Sequence, residues 1–365
     1  MIGIYVHIPY CRTLCPYCDF VRQPIPGAVP QAYIEALCRE IETFKGPQQA
    51  SSVFIGGGTP SLLTRSSLGG LLDALHGRFA LGGAEITLEA NPDDVSEAGA
   101  ASWRGLGINR VSLGVQSFDD STLRYLGRRH DAATALRACR IVATAFENWN
   151  MDLIFGARGA ANAAVSADWQ ATLEGAVSLA PPHVAVYGLT YESGTPFEQR
   201  AEEAVDEDTA LSLYQLAEAM LDAYGHYEIS NYARRGFACR HNLIYWHNEA
   251  YAGFGTGAYS YLEGVRSRNA AQTAAYLATA GTKAESQRLT DREIRIETLI
   301  QHFRLKAGLS KAYYRTRFGS TVREDFGVVL DGLLERSLLA EEVTHIRPTA
   351  EGFYLNNEIG LALVG

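Results

Sequence analysis

The chain has 365 residues, and 32 Lys plus Arg against 41 Asp plus Glu give it a formal charge of −9. That balance offers no basic face to neutralise phosphates and so argues against a nucleic-acid partner. A hydrophobic content of 47% excludes a disordered or fibrous chain. At about 150 residues per domain the length suggests roughly two domains, and one α/β barrel plus an appendage satisfies the same arithmetic. Residues 1–8 read MIGIYVHI, without the basic and apolar regions of a leader. No run reaches the roughly 20 apolar residues of a membrane span, so the expected location is the cytoplasm, with peripheral membrane contact left open.

Six β-rich runs, at 4–8, 53–57, 85–90, 110–115, 150–155 and 183–189, alternate with amphipathic stretches at 32–44, 66–79, 93–106, 131–146, 167–179 and 207–224. The runs are almost continuously apolar, as parallel strands covered on both faces are. Such alternation builds right-handed βαβ units. The predicted fold class is therefore α/β, an incomplete TIM-like (β/α)₆ barrel over 1–225. Residues 226–285, rich in aromatics and Gly, read as irregular structure near a site. A small helical, winged-helix-like domain is expected over 286–365, with helices at 292–303, 310–317 and 322–337 and a closing hairpin around 343–347.

Barrel sites lie at the C-terminal ends of the strands. After the first run comes a C-x₃-C-x₂-C loop, Cys11, Cys15 and Cys18. Three thiolates can hold three irons of a [4Fe–4S] cube and leave the fourth iron open. The alternatives are a zinc site completed by His7 or Asp19, or plain buried thiols. The second run ends in Gly56-Gly-Gly-Thr-Pro60, where missing side chains let the backbone approach a ligand. Glu89, Gln116 and Asp152 close or lie on the third, fourth and fifth runs, suited to ribose hydroxyls and the adenine edge. Arg128 is either a fork for a carboxylate or a solvated surface arginine. Cys38 and Cys139 read as core thiols.

The cysteine loop resembles the radical SAM superfamily, whose cluster binds S-adenosylmethionine (SAM) at its open iron. Tyr5-Val-His-Ile-Pro-Tyr-Cys11, Cys15-Pro-Tyr-Cys-Asp-Phe20, Phe54-Ile-Gly-Gly-Gly-Thr-Pro-Ser61, Leu88-Glu-Ala-Asn-Pro92 and Ser112-Leu-Gly-Val-Gln-Ser-Phe118 narrow the resemblance. They are similar to the family of the oxygen-independent coproporphyrinogen III oxidase and the heme chaperones. The resemblance implies that Tyr5, Tyr17, Gly57, Gly58, Thr59, Glu89, Gln116, Arg128 and Asp152 surround SAM. Phe20 stands where the oxidase has a further cysteine, and the cluster starts close to the N-terminus, which favours the chaperone branch.

Cys239-Arg-His241-Asn242-Leu-Ile-Tyr245-Trp246 resembles the HNxxYW signature of that branch. It implies His241 as axial heme ligand and Asn242, Tyr245 and Trp246 around the macrocycle. His247 and Cys239 are rival ligands, and the motif could instead tie the segment to the barrel. The implied activity is delivery of heme to a heme-requiring apoprotein, with an electron donor for the cluster. The alternatives are a class C methyltransferase and a coproporphyrinogen oxidase. Two departures stand out: Gly156-Ala-Arg-Gly-Ala-Ala161 replaces the family's Gly-Leu-Pro-Gly, and Gly253-Phe-Gly-Thr-Gly257 lacks a histidine frequent in relatives.

Overall fold

The structure, a computed structural model, describes residues 1–157 and 162–365. Six βα units run in chain order: β1 (Ile2–Ile8), α1 (Gln31–Thr43), β2 (Ala50–Gly57), α2 (Arg65–Arg78), β3 (Glu85–Ala90), α3 (Glu97–Gly105), β4 (Arg110–Gln116), α4 (Ala132–Ala145), β5 (Asn148–Phe155), α5 (Asn162–Leu179), β6 (His183–Gly188) and α6 (Glu207–Met220). The six strands pair in parallel in that order. Ile4, Val6, Ile8, Val53, Ile55, Leu88, Val111, Leu113 and Leu153 are fully enclosed, each burial contributing roughly 1.5–3 kcal/mol. Helix starts are fixed by side-chain caps: Thr64, Ser96, Asp131 and Asp206 accept backbone N–H groups of the first turns, each worth about 1 kcal/mol.

Residues 226–285 are not irregular. They form β7 (Gly225–Glu228), β8 (Asn231–Ala233), α7 (Arg240–Trp246), β9 (Tyr251–Phe254), β10 (Tyr259–Leu262), β11 (Val265–Arg268) and β12 (Glu285–Arg288). These strands extend the barrel sheet at both edges, giving the order β12-β11-β10-β9-β1-β2-β3-β4-β5-β6-β8-β7. β9 adds a seventh parallel strand beside β1. Two of the segment's glycines allow close packing. A Cβ on Gly253 would lie 2.0 Å from the Tyr259 carbonyl oxygen, and one on Gly255, at φ 96°, 2.5 Å from that of His7.

The C-terminal elements are α8 (Asp291–His302), β13 (Leu309–Ser310), α9 (Lys311–Phe318), α10 (Val322–Glu335), β14 (Leu339–Glu341), β15 (His345–Pro348), α11 (Ala350–Tyr354) and α12 (Asn356–Val364). Their own core gathers Leu299, Phe303, Tyr314, Phe326, Leu330, Ile346 and Ile359. Capping boxes at Thr290–Glu293 and Thr321–Glu324 start α8 and α10. The hairpin begins earlier than expected, at Leu339, and two helices follow it. Glu218 on α6 ties this unit to the barrel, accepting from Lys306 Nζ at 3.1 Å and the Tyr354 hydroxyl at 2.6 Å. Among the described residues no helix is long and apolar enough to cross a membrane.

Candidate functional site

The strand ends carry the three cysteines to one side of a cavity of about 470 Å³, lined by Cys11, Cys15, Cys18, Tyr17, Gly57, Gly58, Thr59, Glu89, Gln116, Arg128 and Asp152. That volume lies within the range of small-molecule sites. Gly57 adopts φ 113°, and its N–H donates to Glu89 Oε2 at 3.0 Å. Gly58 donates its N–H to the Ile8 carbonyl at 2.8 Å. A Cβ at Gly58 would lie 2.9 Å from Cys11 Sγ and 2.7 Å from the Tyr10 carbonyl oxygen, so only glycine lets this turn sit against the cysteine loop. Gln116 also holds a left-handed φ, 68°, an uncommon conformation for a residue with a side chain.

Two arginines brace the loop. Arg128 donates through Nη2 to Asn91 Oδ1 (2.6 Å) and the Gly114 carbonyl (3.0 Å), while its Nη1 lies 3.5 Å from both Cys15 Sγ and the Tyr17 hydroxyl. It is therefore not a solvated surface arginine. Arg22 donates to the Cys15 carbonyl at 2.7 Å. Burial raises the Cys11 and Cys18 thiols above their ordinary value. Burial, and then the Asp152 charge, push Glu89 up to about 8. Burial likewise raises Asp152, opposed by hydrogen bonds from Asn150 (2.7 Å) and Ser112 (3.1 Å).

The zinc alternative finds no support in the geometry. His7 shares its Nε2 with the Val21 carbonyl (2.6 Å) and its Nδ1 with the Tyr5 hydroxyl (2.9 Å), so neither nitrogen is free. Asp19 is exposed. Among the described residues no three His, Cys, Asp or Glu side chains gather closely enough to hold one ion.

Tyr5 departs from the expected SAM set. It is absent from the cavity lining; its ring lies inside the barrel, 6.3 Å from that of Phe54 and 6.4 Å from that of His241. Asn91, Ser112, Tyr187 and Leu189 line the cavity although the sequence reading passed over them. Asn91 follows Glu89 by two positions and so shares its direction along the strand, a signal that could have found it. Of the segment 156–161, residues 158–161 lie outside the described residues; Gly156 adopts φ 75°.

The HNxxYW residues lie at the other end of the barrel. His241 is buried between the starts of the strands, with Nδ1 2.8 Å from the Ser52 hydroxyl and Nε2 2.9 Å from that of Tyr245. Its N–H donates to Glu85 at 3.3 Å. Both ring nitrogens are engaged, so His241 presents no lone pair to an iron in this arrangement. Burial lowers its pKa to about 3, with Arg110 acting in the same direction. Cys239 is equally enclosed, donating to Glu85 at 3.5 Å, and burial holds its thiol up at about 12. Asn242 is half-buried, and Trp246 packs under the Arg304 guanidinium at 4.9 Å. Cys139 is a core thiol, whereas Cys38 is only half-buried.

Residues 5–163 match the model of the radical SAM superfamily, and residues 289–355 that of the HemN C-terminal domain. The chain is 34% identical to the heme chaperone HemW of Lactococcus lactis, covering 97% of this chain and 95% of that protein. It is 32% identical to HemW of Bacillus subtilis over the whole of both chains. Coproporphyrinogen III oxidase (HemN) from Escherichia coli shares the fold at a TM-score of 0.84, with 20% identity, covering 99% of this chain and 89% of that one. With identities above 30% running through nearly the whole of both chains, and a radical SAM match over the strands that carry the cysteine loop, the chain belongs to the HemW family of radical SAM proteins.

Proposed function

We propose that the protein binds a [4Fe–4S] cluster through Cys11, Cys15 and Cys18, binds SAM in the adjoining cavity, and delivers heme to heme-requiring apoproteins. The observation that carries the cofactor reading is the convergence of three thiols, Gly57 and Gly58 and the Glu89–Gln116–Asp152 ring on one volume. When bound and reduced, the cluster supplies an electron for cleavage of the SAM sulfonium. The chain's own residues bind and orient. Arg128 fixes Tyr17 and offsets negative charge beside Cys15. Glu89 aligns the Gly57 amide, and Asp152 presents acceptor oxygens held by Ser112 and Asn150. The names of the HemW relatives support the heme reading. Phe20, 60% exposed at the cavity rim, occupies the position of the oxidase's extra cysteine.

Anaerobic reconstitution with iron and sulfide tests the proposal. Optical and paramagnetic spectra are expected to show a cube whose signal changes on adding SAM. Heme transfer to an apoprotein is expected to need the added heme and the intact chain. Absence of a cube, or decarboxylation of coproporphyrinogen, would overturn the reading.

A further inference from the structure

α7 carries two histidines in different directions. His241 enters the barrel floor, whereas His247, which caps the helix, meets His302 of α8 with ring centroids 5.5 Å apart and planes at 37°. We propose that His247 and His302 form an imidazole pair that takes a first-row transition metal across the seam between the barrel sheet and the C-terminal unit. With metal–nitrogen bonds of about 2.0–2.1 Å, two imidazoles on one ion hold their centroids roughly 5–6.4 Å apart, depending on the angle at the metal. The observed separation falls in the bent part of that range.

The His302 ring is held from behind. It is only 4% exposed, and its Nδ1–H donates to the Thr298 carbonyl at 2.8 Å. That bond puts the ring proton on Nδ1 and leaves Nε2 with its lone pair, the tautomer found in metal-bound imidazoles. Neither His302 Nε2 nor the His247 ring has a hydrogen-bond partner among the described residues. Burial lowers both imidazoles, His302 to about 4, so both are neutral donors at pH 7. The charged groups facing them are Glu249, towards His247, and Arg317, towards His302. Arg317 is tied to the carbonyls of His247 (3.3 Å) and Asn248 (2.9 Å). The Tyr313 ring covers the His302 side, with centroids 5.0 Å apart. Binding adds an ion to two lone pairs and releases no proton. The metal can arrive as a free divalent ion, which suits the bent geometry, or as heme iron, which needs the two imidazoles opposed. Only the second source rests on the function proposed above.

The test uses the cluster-reconstituted full chain titrated with cobalt(II) alone and, separately, with hemin alone, in wild type, His247→Ala and His302→Gln. One equivalent of cobalt with paramagnetically shifted imidazole N–H resonances is expected. Each substitution should weaken binding roughly tenfold or more, the scale that even a ligand's supporting hydrogen bond carries. A low-spin two-imidazole heme spectrum lost in both variants supports the pair with heme iron as the source. A cobalt response lost in both, with the hemin spectrum unchanged, supports it with the free ion. Variants that melt as the wild type does and titrate identically with both probes overturn it. Should His302→Gln unfold, the His247→Ala comparison decides alone, because that ring is half-buried at a helix end. The cobalt arm holds or fails whatever becomes of the SAM and heme reading.

Discussion

The two ends of the barrel strands are built from similar residue types and do opposite things. At the C-terminal ends, Cys11, Glu89, Asp152 and Arg128 border a cavity, and the carboxyl of Glu89 sits far from its ordinary value. At the N-terminal ends, Ser52, Glu85, Asn150, His183 and His241 are joined to one another or to α7 and Tyr227 by hydrogen bonds. His183 connects Asn150 (2.6 Å) with the Tyr227 hydroxyl (2.8 Å), and Asn150 continues upward to Asp152. Polar residue type alone therefore does not mark a site. Both ends have protein partners for their polar groups; what separates them is that those at the C-terminal ends also border an open cavity, whereas those at the floor are closed in by α7.

The strongest break of this comparison is Cys11→Ala. The mouth loses one corner of its proposed cluster, and the reconstituted iron–sulfur absorbance is expected to fall to background while the melting temperature holds. His241→Ala attacks the floor and should do the reverse. It strands the Ser52 and Tyr245 hydroxyls and opens a cavity, costing roughly 2–4 kcal/mol in urea unfolding while the cysteines still take up iron. Loss of the cube without loss of stability in His241→Ala would erase the distinction.

Glu89→Gln sharpens it by pH. Burial raises the folded carboxyl from 4.5 to about 8, so its protonated form favours the fold. That contribution is complete below the unfolded value and is lost as pH rises through about 8. The ligand-free wild type should lose stability across that window, and the Gln variant should not, gaining by up to a few kcal/mol at the alkaline end. A parallel pH profile for the two proteins would contradict the assignment. The smallest expected effect is at Gln116, where relief of the left-handed φ in Gln116→Gly should stabilise by about 0.5–1 kcal/mol. SAM affinity should drop in the same variant, because the side chain that lines the cavity is gone.

The barrel half was legible because β1 to β6 are buried on both faces, which writes continuous apolar runs into the chain. Their ends then pointed to Glu89, Gln116 and Asp152 without any tertiary knowledge. The other half was not. β9 is four residues long, and the glycines beside it answer to a carbonyl of Tyr259 and one of His7, contacts that no local pattern records. Tyr5 was misplaced for a related reason: alternation along β1 sets which side chains enter the barrel, but not how high in it they lie. His241 was read as a ligand because its two partners are invisible locally. Tyr245 is four residues away, yet Ser52 is 189 positions distant.

α7 spans only seven residues, too short to bend, so its two ends turn together. A rotation that exposed the imidazole held by Ser52 would lift the one facing His302 from its neighbour in the same movement. The barrel floor and the seam with the C-terminal unit therefore share one short helix, and a hydrogen-exchange experiment is expected to show the two ends of α7 protected together.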